Sequence, residues 1–275
     1  MTTTGLGGRS GPKGIGVDVG GTSVKAGVVD LVKGDVLEVI RVPTPVPQRI
    51  DDVIETVAAA LDQLGGRHVG EGFSDLPLGL GLPGDVRDGR HTSGVNIDPS
   101  WVGAPALDLV EARLGRPAWI LNDADAAGIG EVRYGAAVGV RGVVLVLTFG
   151  TFIGSAILLD GRLLPNSGLG QFPFRGEDVE VNLSAVARER RGISWEQWAG
   201  EVNEFLGLVD GMLRPELIVM GGGGSEAWQV YADLLHASCP VARAGLGSLS
   251  GIVGAAAAAA FAEELGLPSR LPAGT

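Results

Sequence analysis

Two short runs set a polar side chain and paired small residues at the end of an apolar segment, an arrangement suited to gripping phosphate. The first is Asp18-Val19-Gly20-Gly21-Thr22-Ser23-Val24-Lys25. Gly20 and Gly21 allow a ligand to approach the backbone closely. Free N–H groups of the turn, the Thr22 hydroxyl and the Lys25 ammonium can cradle phosphate oxygens, with the Asp18 carboxylate at the strand end. The second run, Thr148-Phe149-Gly150-Thr151-Phe152-Ile153-Gly154-Ser155, sets Gly150 and Thr151 in the matching place of the second half. Either run alone also reads as an ordinary hairpin turn; the pair favours phosphate. A third run, Gly221-Gly222-Gly223-Gly224-Ser225, follows an apolar strand and precedes a helical stretch. Nucleotides lie at such places in α/β proteins, and a flexible loop is the alternative. The fourth run is Leu121-Asn122-Asp123-Ala124-Asp125. Either aspartate could simply cap the following helix. Asn122 and Asp123 side by side could instead hold a diol and accept its proton.

Other groups read as structural. Arg188, Arg190 and Arg191 suit a solvated helix face, with an anion site as the alternative. Trp195 and Trp198, three apart, read as packing residues. His68, His91 and His236 lack metal-ligand spacing. The single cysteine, Cys239, permits no internal disulfide and no cysteine-rich zinc site. It reads as a small half-buried hydrophobe and fits a reducing, cytoplasmic setting.

The elements that must position these residues follow from periodicity. Strands are predicted at 14–19, 24–29, 36–42, 78–82, 118–121, 143–148, 153–159, 162–164 and 217–220. Helices are predicted from Asp51 to a stop at Gly65-Gly66, near 105–114, over 124–134, through 179–213, near 225–236 and over 251–265. Residues 85–100 read as a polar connection. Each half runs strand, Gly-Thr turn, strand, antiparallel strand, then helices alternating with strands, which suggests an internal duplication. Alternation of strands and helices gives the α/β class. The chain has 275 residues, 45% of them hydrophobic, enough for two lobes with full cores. A formal net charge of −11 argues against nucleic acid and anionic membranes as partners. No apolar run approaches the roughly 20 residues of a membrane span. Residues 1–13 read as a disordered arm, 14–121 and 122–250 as the two lobes, and 251–275 as a C-terminal helical segment packing back on the first lobe.

The order Asp18-Val-Gly-Gly-Thr22, Leu82-Pro83-Gly84, Asn122-Asp123-Ala-Asp125-Ala-Ala, Gly150-Thr151 and Gly221-Gly222-Gly223 resembles the ROK family of sugar kinases and repressors. Asn122 to Gly135, Ile193 to Trp198 and Gly251 to Ala256 are similar to the actinobacterial polyphosphate/ATP glucokinases within it. The resemblance implies two ribonuclease-H-like (actin-like ATPase) lobes around an interlobe cleft, and commonly a homodimer. It implies Mg2+ with ATP or polyphosphate as donor, and no structural zinc. It makes Asp123 the general base. Asn122, Pro83, Gly84, Asn96, Gly168 and Gln171 would surround the acceptor. Asp18, Gly20, Gly21, Thr22 and Lys25 match the first phosphate motif, Gly150 and Thr151 the second, and Gly221, Gly222 and Gly223 the adenosine motif.

Two departures stand out. The family's Glu-x-Gly-His and a later Glu are replaced by Gly168, Gln171 and Pro173, and the usual Gly-Thr-Gly turn ends in Phe152. Hydrogen-bonding groups that discriminate strongly at the anomeric end of glucose are thereby absent from their usual positions, and Phe152 is expected to restrict the turn. The implied activity is phosphoryl transfer to the primary hydroxyl of a glucose-like polyol, such as a C7-cyclitol or modified sugar. Glucose itself is the alternative acceptor, and a non-catalytic sugar-binding protein is the rival from another class. A repressor would need a winged helix of about 60–80 residues before the first strand, where only a short arm is expected.

Overall fold

The computed structural model describes residues 11–67, 72–94 and 97–267. His68, Asn96 and most of the arm expected at 1–13 lie outside them. The first half is built from β1 (Lys13–Val19), β2 (Ser23–Asp30), β3 (Val36–Pro43), α1 (Ile50–Arg67), β4 (Leu78–Leu82), β5 (Asp85–Arg87), β6 (Arg90–Ser93), α2 (Ala106–Leu114) and β7 (Trp119–Asn122), and α3 (Asp123–Tyr134) follows. The second comprises β8 (Val143–Phe149), β9 (Ile153–Leu159), β10 (Arg162–Leu164), the small pair β11 (Pro173–Phe174) and β12 (Glu177–Asp178), then α4 (Val179–Leu183), α5 (Ala185–Arg191), α6 (Trp195–Leu213), β13 (Leu217–Gly221), α7 (Trp228–Tyr231), β14 (Val241–Arg243) and α8 (Ser250–Phe261).

Both halves form a five-stranded mixed sheet of the same topology. The orders are β3-β2-β1-β4-β7 and β10-β9-β8-β13-β14. In each, three antiparallel strands are extended by two parallel ones. The repeated order explains the repeated sequence pattern. The central strands β4 and β13 are buried along their whole length, as strands covered on both faces must be.

α8 is apolar all round, and Ser250 to Ala258 are all buried, which marks a helix enclosed by protein. It lies against β1 and β4 on one side and α3 on the other, through glycines. A Cβ at Gly16 or Gly79 would stand 1.8 Å from the backbone oxygen of Ile252 or Ala255. A Cβ at Gly254 would stand 1.6 Å from that of Ala126. No side chain fits at these three positions.

Three expectations need correction. α1 does not stop at Gly65-Gly66 but continues to Arg67; Gly65 serves packing, since a Cβ there would press on the Phe73 ring at 3.2 Å. The polar stretch after residue 85 contains the β5–β6 hairpin, turned by Asp88-Gly89 with φ of 51° and 74°. The turn is the same kind as Asp160-Gly161, which the sequence did reveal. The region near 225–236 is one short helical turn between 3-10 segments. α6 starts at a capping box of Ser194 and Gln197. Ser194→Ala is expected to lower stability by about 1 kcal/mol, read as the shift in urea midpoint.

Candidate active site

The carboxyl ends of the parallel strands β1, β4, β7, β8 and β13 converge on one cavity of about 420 Å³. Ligands collect at such ends in α/β proteins. Gly21 and Thr22 line it from the first turn, Gly150 and Thr151 from the second. The turns face each other: a Cβ on Gly21 would lie 3.9 Å from the Thr151 hydroxyl. Pro83, Gly84, Asn122, Asp123, Gly168 and Gln171 also line the cavity, as does Gly222. Asp18, Gly20, Lys25, Gly221 and Gly223 do not. Lys25 Nζ instead donates to Asp18 at 2.8 Å and to the Ser248 carbonyl at 3.3 Å, bracing the first turn against the start of α8. Gly221 lies within the sheet and Gly223 opens a 3-10 turn. Gly222 has φ 75°, and a Cβ there would meet the Phe149 backbone at 2.7 Å, so only glycine fits.

Asn122 resolves the capping question. Its Oδ1 accepts from the N–H groups of Ala124 (2.9 Å) and Asp125 (3.0 Å), making it the N-cap of α3. Its Nδ2 donates to the Gly84 carbonyl at 3.0 Å and to Asp123 Oδ1 at 3.1 Å. Asp123 Oδ1 also accepts from Ala124 N–H at 2.9 Å. Burial, reinforced by the negative charge of Asp18, pushes the Asp123 carboxyl up to about 7 against these hydrogen bonds. Asp125 is 1% exposed and does not reach the cavity. Burial raises it to about 7 as well. For both, the folded value exceeds the unaltered 3.8. Their stability contribution is therefore complete below the unfolded value and is lost as pH rises through about 7. The urea midpoint should fall between pH 5 and pH 8, and fall less in Asp125→Asn.

Several wall residues carried no signal in the sequence. Gln48 donates from Nε2 to the Gly21 carbonyl at 2.8 Å. Asp85, Asn166 and Ser167 line the cavity, as does Glu180. Gly168 and Pro173 are indeed not glutamates, yet this end is not without a carboxylate. Glu180 is 7% exposed and sits beside Gly170; burial pushes its carboxyl up, opposed by the Ile153 backbone. Phe152, the bulky residue that ends the second turn, sits there without backbone strain. Its φ is not in the left-handed region, and its carbonyl accepts from Gly150 N–H at 2.9 Å. Its side chain is 39% exposed at the cavity wall.

The described wall bears Asp85, Asp123 and Glu180 but no lysine or arginine. Arg188, Arg190 and Arg191 are engaged elsewhere. Arg188 donates to the Ile193 carbonyl and lies over Trp195 at 4.0 Å; Arg190 donates to the Val181 carbonyl; Arg191 pairs with Glu201. Among the described residues no group of three or more His, Cys, Asp or Glu side chains could hold a metal. One or two carboxylates suffice for Mg2+ that arrives with phosphates. Asp18, at the end of β1 and salt-bridged to Lys25 rather than lining the cavity, is the carboxylate of the first turn that could hold it. Among the described residues no helix is long and apolar enough to cross a membrane.

The ROK family model matches residues 14–170. The polyphosphate glucokinase of Mycobacterium tuberculosis is 38% identical over 247 residues, covering 89% of this chain and 90% of that one. The inorganic polyphosphate/ATP-glucomannokinase of Arthrobacter sp. strain KM superposes with a TM-score of 0.88 at 43% identity, over 91% of this chain and 99% of that one. A ROK family glucokinase from Streptomyces griseus, solved with glucose and AMPPNP, gives 0.75 at 26% identity, over 90% and 99%. These neighbours carry the same two-lobed fold, so the ribonuclease-H-like (actin-like ATPase) architecture holds here.

Proposed function

The chain belongs to the ROK family as one of its sugar kinases, a phosphotransferase with a hydroxyl acceptor, and from that premise we propose that it moves the γ-phosphoryl group of ATP onto the primary hydroxyl of a glucose-like polyol, with Asp123 as general base. The observation that carries this reading is the place of Asp123: in the cavity wall, hydrogen-bonded by Asn122, with the facing turns of Gly21-Thr22 and Gly150-Thr151 lining the same cavity. Phosphoryl transfer needs in-line positioning and neutralised charge more than covalent help. Asn122 orients the Asp123 carboxylate, which takes the proton of the acceptor hydroxyl as its oxygen bonds to phosphorus. The two turns hold phosphate oxygens through backbone N–H groups and the Thr22 and Thr151 hydroxyls. Asp18 would hold Mg2+, which neutralises charge on the transferring group when bound.

ATP is preferred as donor on electrostatic grounds. A long polyphosphate chain would run along a described wall with three carboxylates and no cationic side chain, and the arginines that might form a track are committed elsewhere. With ATP, polyphosphate should support far less product at equal phosphate concentration. Polyphosphate matching ATP would reverse this assignment.

On the acceptor side, the retained Asn122-Asp123 pair suits the end of the polyol that carries the reacting hydroxyl. The other end is rebuilt around Gly168, Gln171 and Glu180. An acceptor altered there, such as a C7-cyclitol or an amino sugar, is the reading we adopt. Glucose is the second reading, favoured by the glucokinase and glucomannokinase relatives and by the carboxylate that Glu180 returns to this end. Acceptor-dependent ADP release across glucose, mannose, glucosamine, kanosamine and valiolone-type cyclitols separates them. Glucose leading by a wide margin selects the second reading. No release with any polyol would leave a non-catalytic binding protein.

A further inference from the structure

The acceptor side of the cavity is stitched together by side chains from opposite halves of the chain. Asp125, in the first turn of α3, accepts the backbone N–H of Asn166 on Oδ2 at 2.8 Å. Its Oδ1 is buried without a hydrogen-bond partner, so this one bond is the side chain's polar anchorage. Asn166 sits in the left-handed region at φ 56°. That conformation turns its carboxamide onto Val86, whose N–H it accepts at 3.1 Å and whose carbonyl it donates to at 3.0 Å. The amide thus pairs with Val86 as a neighbouring strand would. Two residues earlier, the Gly84 carbonyl accepts from Asn122 Nδ2. Asn122, the N-cap of α3, thus holds Gly84, and Asp125, in the first turn of α3, holds Val86 through Asn166, so both ties bind the 84–86 segment to the start of α3, on either side of Asp123 in sequence.

We propose that Asn166, held by Asp125, is a positioning residue: it clasps the β5–β6 hairpin to the second half of the chain, closing the acceptor end of the cavity so that the phosphoryl group reaches the polyol rather than water. Asp85, next to the clasped Val86, belongs to the cavity wall, so loosening the clasp opens that wall directly. The reacting groups are untouched by such loosening. What changes is the fate of the γ-phosphoryl group: with the wall open, a water oxygen bonds to phosphorus, the bond to ADP breaks, and inorganic phosphate leaves. The step rests on the kinase reading above.

The test pairs Asn166→Gly, which removes the carboxamide while suiting the left-handed backbone, with Asp125→Ala, which removes the anchor without touching the cavity. Two readouts are taken: amide hydrogen exchange at Val86, and inorganic phosphate released per acceptor phosphorylated with ATP and the best polyol. Both variants should speed Val86 exchange and raise the phosphate ratio by about tenfold, the scale of two ordinary hydrogen bonds. Asp125→Asn keeps an accepting oxygen and should restore both towards wild type. A raised ratio in Asn166→Gly alone would mean that Asn166 simply touches the acceptor, and would overturn the clasp. Should Asp125→Ala not fold, unchanged Val86 exchange in Asn166→Gly overturns it as well. If the wild-type chain phosphorylates no polyol, the kinase reading fails, while Val86 exchange still decides whether the clasp exists.

Discussion

Asp123→Asn should fold and bind ATP yet turn over about a thousandfold more slowly, within the 10²–10⁴ that a positioned general base contributes. Asparagine keeps the size of the side chain and can still accept the N–H of Ala124, so the start of α3 survives. What it cannot do is take a proton. Stopped assays of ADP release, alongside thermal melts, separate the two effects: kcat falls while the melt stays close to wild type. The wild-type enzyme should show the matching pH signature. Burial and Asp18 set the Asp123 carboxyl at about 7, and only its ionised form is a base. kcat/KM for the acceptor should therefore rise with pH through about 7 and level above it. A flat profile from pH 5.5 to 8, or an Asp123→Asn enzyme within a few-fold of wild type, would remove the carboxylate from the reaction.

Glu131→Ala should cost about 4 kcal/mol of folding stability, the scale of leaving several buried hydrogen-bond donors unmatched. The Glu131 carboxylate is fully buried. Its Oε2 accepts from Ala136 N–H at 2.9 Å and Gly245 N–H at 2.8 Å; its Oε1 accepts from Leu246 N–H at 3.0 Å and the Ser250 hydroxyl at 2.7 Å. One side chain on α3 thus ties the loop after its own helix to the segment leading into α8. Truncation strands three backbone donors in the interior at once, while the Ser250 hydroxyl keeps the Gly247 carbonyl at 2.8 Å. Glu131→Gln discriminates this from lost packing. Its amide has the same shape, but its NH2 faces two of the donors, so most of the loss should persist. A glutamine variant within about 1 kcal/mol of wild type in urea midpoint would show that shape, not charge, does the holding.

How far the sequence could be read depended on the kind of signal. The two Gly-Thr turns and Asn122-Asp123 were legible because each sits where an apolar strand stops, and the strand order then carries them to one place. Glu180 was not legible. Its approach to Gly170 depends on how the β11–β12 pair folds back, and no local spacing encodes that. Gln48 and Asn166 reach the cavity from connections whose paths are set by tertiary contacts. The β5–β6 hairpin was missed for a different reason: Asp88-Gly89 is a strong turn signal, but its flanking strands are too short and polar to alternate visibly. Gly65-Gly66 misled because glycine is costly in a free helix, whereas here Phe73 fills the space it leaves.

The passage of α8 between β1, β4 and α3 bears on how the polypeptide is made. The ribosome delivers the first sheet long before residues 250–261, yet the faces of Gly16 and Gly79 are shaped for the backbone of that late segment and for nothing bulkier. Until it emerges, the face of the early strands opposite α1 lacks its native cover. A fragment ending before residue 250 should accordingly need the missing helix, supplied as a separate peptide, to become protease-resistant.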